Sequence, residues 1–210
     1  QLNALSTTQL VAIETTDLAA LTTVQLRGLT TTQVAALTST QVASLTTDQV
    51  SALTTTQVAA METTDLAGLS TTQVVSLTTG QLNALTTTQL VAVETTDLAA
   101  LTTTQVKGLS TTQIAALSST QIATLTTTQL DAVTTAQMAA FETTDVAALS
   151  VTQVASLSTA QLAALTTTQI AAVETTDLAA LTTAQIQGLT TTQLNALSTT
   201  QLVAIETTDL

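Results

Sequence analysis

The residues of this chain best suited to chemistry are six Glu/Asp pairs, each in the tetrapeptide Glu-Thr-Thr-Asp. Paired carboxylates can share a hard cation such as Ca²⁺, which needs several oxygen ligands, or perform the acid–base work of a glycosidase. The pairs are Glu14 with Asp17, Glu62 with Asp65, Glu94 with Asp97, Glu142 with Asp145, Glu174 with Asp177, and Glu206 with Asp209.

Catalysis by these acids is not expected, because they recur along a uniform repeat with no other chemical group near them. The chain has no His and no Cys, and it contains neither a Gly-rich phosphate loop nor a G-x-S-x-G motif. The sequence therefore predicts a protein that is not an enzyme, with no catalytic residues, no cofactor-binding residues and no defined metal site.

The elements that position the acids come from an eight-residue repeat. From Ser6 the sequence divides without insertion or deletion into octads of consensus [ST]-T-T-Q-[VIL]-A-A-L, here numbered place one to place eight. In the acidic octads Glu replaces Ser or Thr at place one, and Asp replaces Gln at place four. Such fixed self-similarity is typical of a solenoid or array.

Each octad is predicted to form one short helix. Large apolar residues occupy places five and eight, as in Val34 and Leu37, and a spacing of three belongs to a helical turn. Thr30 to Gln33 matches a capping box, in which the Thr hydroxyl and the Gln side chain each bond to the other residue's backbone N–H. A β-solenoid is the alternative, favoured by the Val, Ile and Thr content.

Stacking must stabilise these helices, since a helix of one and a half turns is not stable alone. We expect an all-α solenoid with places five and eight inside. Only Ala, Gly, Ser or Thr occurs at place seven, which would let neighbouring backbones approach closely. Gln at place four is predicted to bond both to its own cap and to the next coil, as a stacked amide ladder.

Two interpretations of the acidic octads remain open. Glu and Asp could lie in the first helical turn, where negative charge suits the helix dipole, and keep a nearly neutral solenoid soluble. Alternatively, because all six fall on even-numbered octads, a coil of two octads would align them for binding Ca²⁺.

The polar and cationic positions of the repeat carry further predictions. The hydroxyls of places one and two are expected to cap the backbone, whereas place three is free and variable. Ranks of Thr could also present a surface to ice or glycan. Arg27 and Lys107 are expected to be exposed at place six.

The domain prediction is one uninterrupted array over residues 1–210. Residues 1–18 recur letter for letter as residues 193–210, so we expect the chain to be an excerpt of a longer repetitive protein. Polar residues interrupt every apolar run, and no membrane span is predicted. The net charge of −12 disfavours nucleic acid as a partner.

The unit LTTTQVAAL and its variant ETTDLAAL resemble the octapeptide-repeat regions of very large bacterial secreted or surface proteins of adhesin-like type. The resemblance covers the whole chain. It implies export, extension away from the cell, and a structural role as an extracellular filament or stalk that self-associates along or between filaments. A repetitive surface that binds ice, glycan or Ca²⁺ is the alternative function.

Overall fold

The computed structural model describes residues 2–209, and their side chains as far as residue 205. Within that range the chain forms one 3-10 turn, Leu2–Ala4, and 25 α-helices, with no strand. The all-α prediction is therefore confirmed and the β-solenoid alternative is not favoured. None of these helices is both long and apolar enough to cross a bilayer.

The helices belong to two compact units. The first unit, Gln1–Leu109, contains α1 (Thr7–Val11), α2 (Thr15–Ala20), α3 (Thr23–Arg27), α4 (Thr31–Ala35), α5 (Ser39–Ala43), α6 (Thr47–Ala52), α7 (Thr55–Ala59), α8 (Thr63–Ala67), α9 (Thr71–Ser76), α10 (Thr79–Ala84), α11 (Thr87–Val91), α12 (Thr95–Ala100) and α13 (Thr103–Gly108). The second unit, Ser110–Leu210, contains α14 (Thr111–Ala116), α15 (Ser119–Ala123), α16 (Thr127–Ala132), α17 (Thr135–Ala139), α18 (Thr143–Ala147), α19 (Val151–Ala155), α20 (Thr159–Ala164), α21 (Thr167–Ala171), α22 (Thr175–Leu178), α23 (Thr183–Gln187), α24 (Thr191–Ala196) and α25 (Thr199–Asp209).

The predicted capping box sets the start of each Gln-containing helix. In α4 the backbone N–H of Gln33 donates to Thr30 Oγ1 at 3.2 Å, and the backbone N–H of Thr30 donates to Gln33 Oε1 at 2.9 Å. Two of the backbone donors left over at a helix start are thereby satisfied. Place one is the N-cap, and place two is the first residue of the helix.

Two extended residues separate one helix from the next. Place eight is extended, as at Leu85 with φ −63° and ψ 137°, and so is place one, as at Thr86 with φ −65° and ψ 160°. No residue of the described range has a positive φ. The chain therefore turns without Gly or Pro at the corner, because two polyproline-like residues are sufficient to redirect it.

Within each unit the octads stack in a regular pattern. Each helix packs against the third helix that follows it, as α3 does against α6 and α17 does against α20. The side chain at place four bonds to carbonyls 28 to 31 residues earlier, as Gln41 Nε2 does to Ile13 O and Leu10 O. One coil therefore holds about three and a half octads, so each octad lies across a junction between two octads of the preceding coil.

Places five and eight form the core, as predicted. Val34 is 1% exposed and Leu37 is 6% exposed. Met61, Met138 and Phe141 also lie at these core places and are buried. Both places are buried in the octads away from the ends of the chain, whereas Ile13, Leu21, Ile186, Leu194 and Leu202 are half-buried. Leu, Val and Ile fill most of the core places.

Place seven lies against place two of the octad three positions earlier. A Cβ added at Gly188 would be 3.0 Å from Thr159 Cβ, and one added at Gly108 would be 3.2 Å from Thr79 Cβ. The close approach predicted from the small residues at place seven is confirmed. Its partner is a side chain at the start of another helix.

The last helix departs from the one-helix-per-octad prediction. α25 continues through Ile205 and Glu206 to Asp209, across a boundary where the other octads break. Residues 9–18 have the same sequence as residues 201–210, yet there the chain ends α1 at Val11 and starts α2 at Thr15. The break is thus imposed by packing on a sequence that can also continue as helix.

Candidate functional site

The side chain at place four joins successive coils. Gln41 Oε1 accepts from the N–H of Thr38, its own N-cap, at 3.1 Å. Its Nε2 donates to the carbonyls of Leu10, Val11 and Ile13 at 3.2, 3.2 and 2.9 Å. Leu10 and Val11 are the last two residues of α1, and Ile13 lies two residues beyond it. Leu10 O also accepts from the Ile13 N–H at 3.1 Å. One Gln therefore joins its own helix start to another helix end.

The same geometry recurs in both units. Gln161 Nε2 donates to Leu130 O and Val133 O, each at 2.7 Å. The predicted bonding to cap and neighbouring coil is confirmed. The prediction that the Gln side chains bond to one another as a ladder is wrong. Each amide donates to backbone carbonyls of the other coil. Buried carbonyls at a helix end need a donor, whereas the side-chain oxygen of another Gln already accepts from its own N-cap.

Burial of place four depends on the preceding coil. Gln9, Asp17 and Gln25 belong to the first three octads and are exposed. From Gln33 to Gln201 every place-four residue is buried. Place four, although polar in every octad, is therefore a buried position wherever a preceding coil covers it.

The acidic octads place a carboxylate in this buried position. Asp65, Asp97, Asp145 and Asp177 are each 4% exposed or less. The prediction that the Asp residues serve as solubilising surface charge is therefore wrong for these four. The cause is the preceding coil, which covers place four whether Gln or Asp occupies it. Asp is one methylene shorter than Gln and, when ionised, has no N–H to donate to the carbonyls of that coil.

A hydroxyl at place two compensates some of these carboxylates. Thr71 Oγ1 donates to Asp97 Oδ1 at 2.6 Å, over a separation of 26 residues. Ser39, also 26 residues earlier, bonds in the same way to Asp65. The expectation that place-two hydroxyls cap the backbone is wrong at these positions, because place two is already inside the helix and points to the next coil.

Asp177 lacks this partner. The residue 26 positions before it is Val151, the one place-two residue of the chain that is neither Ser nor Thr. Helices α19 and α22, which carry these two residues, pack against each other. Asp177 Oδ2 is buried without a hydrogen-bond partner, the single such side-chain atom in the described residues.

Burial changes the acidity of three of these groups. Desolvation is the main cause that raises the pKa of Asp65, Asp145 and Asp177. Opposing it in Asp65 are the Glu62 N–H and the Ser39 hydroxyl, which favour the carboxylate. In Asp177 the second cause is the nearby Glu174, which raises the pKa further.

The Glu residues of the acidic octads behave differently from the Asp residues. Glu14, Glu62, Glu94, Glu142 and Glu174 are exposed at the N-cap position, where their negative charge suits the helix start. Glu206 and Asp209 have side chains outside the described part. The coil of two octads that would align all six acids is wrong, because a coil holds about three and a half octads. Acidic octads four positions apart, such as 142–149 and 174–181, are about half an octad out of register in successive coils. Among the residues with described side chains, no three acids, His or Cys gather where a metal ion could bind.

The remaining polar surface is spread evenly. Arg27 and Lys107 are exposed at place six, as predicted. Place three is also exposed, and Val24 there is 78% accessible. Sequence reasoning missed the pairing of place four with place two. The strict occurrence of Gln or Asp at place four was the signal that this position is buried.

The comparison with known families agrees with this repeat geometry. A family model described as the ALTTAQ repeat matches residues 10–47, 58–93, 90–127, 138–175 and 170–207. These segments cover most of the chain, which therefore belongs to the ALTTAQ repeat family. No curated protein matches the sequence.

Proposed function

We propose that this chain is a structural spacer, the repetitive part of a filament or stalk on the outside of a bacterium. The observation that carries the proposal is the use of the place-four Gln. Each amide joins the end of one helix to the start of another, 28 to 31 residues away in sequence. The buried Gln side chains are thus engaged in holding successive coils together.

A spacer function fits the chemistry of this repeat. Stability in a solenoid comes from contacts between neighbours, so repeats can be added without a new core. The charge is acidic, which keeps a long uniform surface soluble. We infer that the chain is not an enzyme, since its buried carboxylates, Asp65, Asp97, Asp145 and Asp177, lie singly between coils.

The first experiment compares arrays of 210 and 420 residues by small-angle X-ray scattering. A spacer should double its maximum dimension when the array is doubled. A globular protein should grow only about 1.3-fold, following the scaling of compact domains. An increase near the lower value would contradict the spacer function.

The cellular location needs a separate experiment. Antibodies against the chain should bind intact cells of the source bacterium, and external protease should remove the signal. Binding only after permeabilisation would place the protein inside the cell. A periplasmic enzyme and a cytoplasmic enzyme, both of which should resist the external protease, are the controls for an intact cell envelope.

Self-association along or between filaments is part of the same proposal. Exposed Thr and Ala side chains give a surface of methyl and hydroxyl groups with little charge. Sedimentation velocity over a range of concentrations should show side-by-side assembly of the 420-residue array. A constant sedimentation coefficient would remove self-association while leaving the spacer function intact.

A repetitive binding surface is the second candidate. The observation in its favour is the exposed Thr at place three, as at Thr32, Thr104 and Thr112, whose hydroxyls are not used in the caps. Thermal hysteresis would reveal ice binding, a glycan array would reveal sugar binding, and calcium titration would test Ca²⁺. Negative results in all three would leave the spacer as the function.

A further inference from the structure

Among the octads with described side chains, residues 174–181 are distinguished by a buried place-four oxygen that has no hydrogen-bond partner. In Gln octads the amide donates to carbonyls 28 and 31 residues earlier, as Gln193 does to Leu165 O and Leu162 O at 2.8 Å each. The carbonyls at the same separations from Asp177 are those of Leu149 and Val146. On the side of the preceding coil a carboxylate meets acceptors, and its donors, the Thr176 hydroxyl and the Glu174 N–H, belong to its own octad.

The place-two hydroxyl that bonds to other place-four carboxylates is missing at this octad. Thr71 donates to Asp97 at 2.6 Å, whereas Val151 has no hydroxyl to donate to Asp177. One oxygen of Asp177 is left buried and without a partner. The Thr176 side chain and the Glu174 backbone bond to the Asp177 carboxyl, but Oδ2 remains buried without a donor, so an ionised group in that position is costly.

We propose that the contact between octad 174–181 and the preceding coil, here called the seam, opens and closes with the protonation of Asp177. A neutral carboxylic acid at Asp177 holds the octad on the preceding coil, and a carboxylate releases it. The neutral acid has an O–H that can donate, directly or through one water, to the carbonyl that a Gln amide would reach. Protonation thus restores the donor that the Gln-to-Asp replacement removed.

The surroundings of Asp177 contain no cation that could replace the proton. Glu174, on the same octad, is negative and favours the neutral acid. Helix α19 carries no ionisable residue. Glu142 and Asp145 belong to the octad four positions earlier, and Glu206 and Asp209 of α25 have side chains outside the described part.

The sign of the effect follows from the raised pKa of Asp177. The folded state binds a proton more readily than the unfolded chain does. Its added stability is complete below the unfolded-state pKa of about 3.9 and is lost as the pH rises through the folded-state pKa. The seam should therefore open more often at neutral pH than in mild acid.

Hydrogen exchange with mass spectrometry tests the seam in the full 210-residue chain. After correction for intrinsic rates, protection of residues 174–181 should fall by up to about tenfold per pH unit between the two pKa values. Asp177→Asn carries a permanent donor and should keep the acid-level protection at pH 8. Loss of protection in D177N at all pH values would overturn the proposal.

Matched variants separate the seam from general pH effects. Val151→Thr supplies the missing hydroxyl and should abolish the pH dependence at residues 174–181. Thr71→Val removes the hydroxyl beside Asp97 and should create a new pH-dependent octad at residues 94–101. If V151T leaves the pH dependence unchanged, the missing hydroxyl is not its cause and the proposal fails.

Cations provide the last arm of the test. Protection at residues 174–181 is measured at pH 8 with K⁺ or Ca²⁺ added as the chloride. No change supports the proton as the ligand of the seam. A cation that restores protection as fully as acid does, and fails to do so in D177N, would show a cation site and overturn the proton as its occupant.

Discussion

Gln at place four bears the largest share of the polar contacts between coils. A buried side chain such as Gln41 or Gln161 donates to two or three carbonyls of another helix and accepts from its own N-cap. Buried amides that satisfy helix ends on both sides are costly to remove, because several backbone groups lose their partners together.

Replacing Gln161 by Leu should lower the free energy of unfolding by about 3 kcal/mol, since the carbonyls of Leu130 and Val133 and the N–H of Ser158 all lose a bond. The matched control is Gln25→Leu. Gln25 is exposed and bonds only to its own cap, so about 1 kcal/mol is expected. Urea unfolding followed by circular dichroism measures both, and equal losses would contradict the role of the inter-coil bonds.

Phe141 tests how tightly the core is filled, because it occupies a place where Leu is usual. Phe141→Leu should cost less than about 1.5 kcal/mol, as neighbouring aliphatic side chains adjust to the consensus residue. Phe141→Ala should cost about 3 to 5 kcal/mol through the cavity that it leaves. Thermal unfolding of the two variants gives the comparison, and similar midpoints would mean that Phe141 is not packed as the structure shows.

The individual helix depends on its cap more than on its length. A segment of five or six residues cannot pay the cost of helix nucleation by itself. The capping box fixes where the helix starts, and the extended residues at places eight and one fix where it ends. The starts of the Gln-containing helices are therefore local features of the sequence, whereas helix stability comes from the coils on either side.

Ser118→Ala should destabilise its octad by about 1 kcal/mol, because Ser118 Oγ accepts from the N–H of Gln121 at 3.3 Å. Thr120 at place three is exposed, and Thr120→Ala should change the stability by less than about 0.5 kcal/mol. Hydrogen exchange of residues 118–125 reports the difference. An equal effect of the two substitutions would show that the cap is not the determinant of this helix.

The array as a whole is predicted to tolerate changes in units of eight residues. Since every octad offers the same carbonyls, cap and core places, removing one octad gives each later Gln an equivalent partner. A coil of three and a half octads has no boundary that such a deletion would disrupt within a unit. Removing four residues instead brings places one and four to positions where places five and eight are required.

Deletion of residues 158–165 should change the thermal midpoint by less than about 4 °C, whereas deletion of residues 158–161 should lower it by more than about 10 °C. The octad deletion also brings Thr143 to the position opposite Asp177, so the pH dependence at that octad should disappear. Circular dichroism gives the midpoints. A four-residue deletion with unchanged stability would contradict the octad as the unit of the fold.

The sequence by itself was sufficient for every feature that depends on residues within one octad. The capping pair Thr30 and Gln33 is three residues apart, and the spacing of Val34 and Leu37 identifies the buried face. Helix class, helix start, core places and the small residues of place seven follow from these short separations, because caps and helical periodicity are local properties of the chain.

Only the tertiary structure decided how the octads stack, and with it the environment of the acids. The length of a coil results from the angle at each two-residue corner, and small changes in that angle alter which octads meet. Burial of Asp177, its position opposite Val151 and the partners of each Gln all depend on residues 26 to 31 positions away. Residues 9–18 and 201–210 make the same point directly: one sequence breaks into two helices and its identical copy stays helical, because local preferences are weak and packing determines which is adopted.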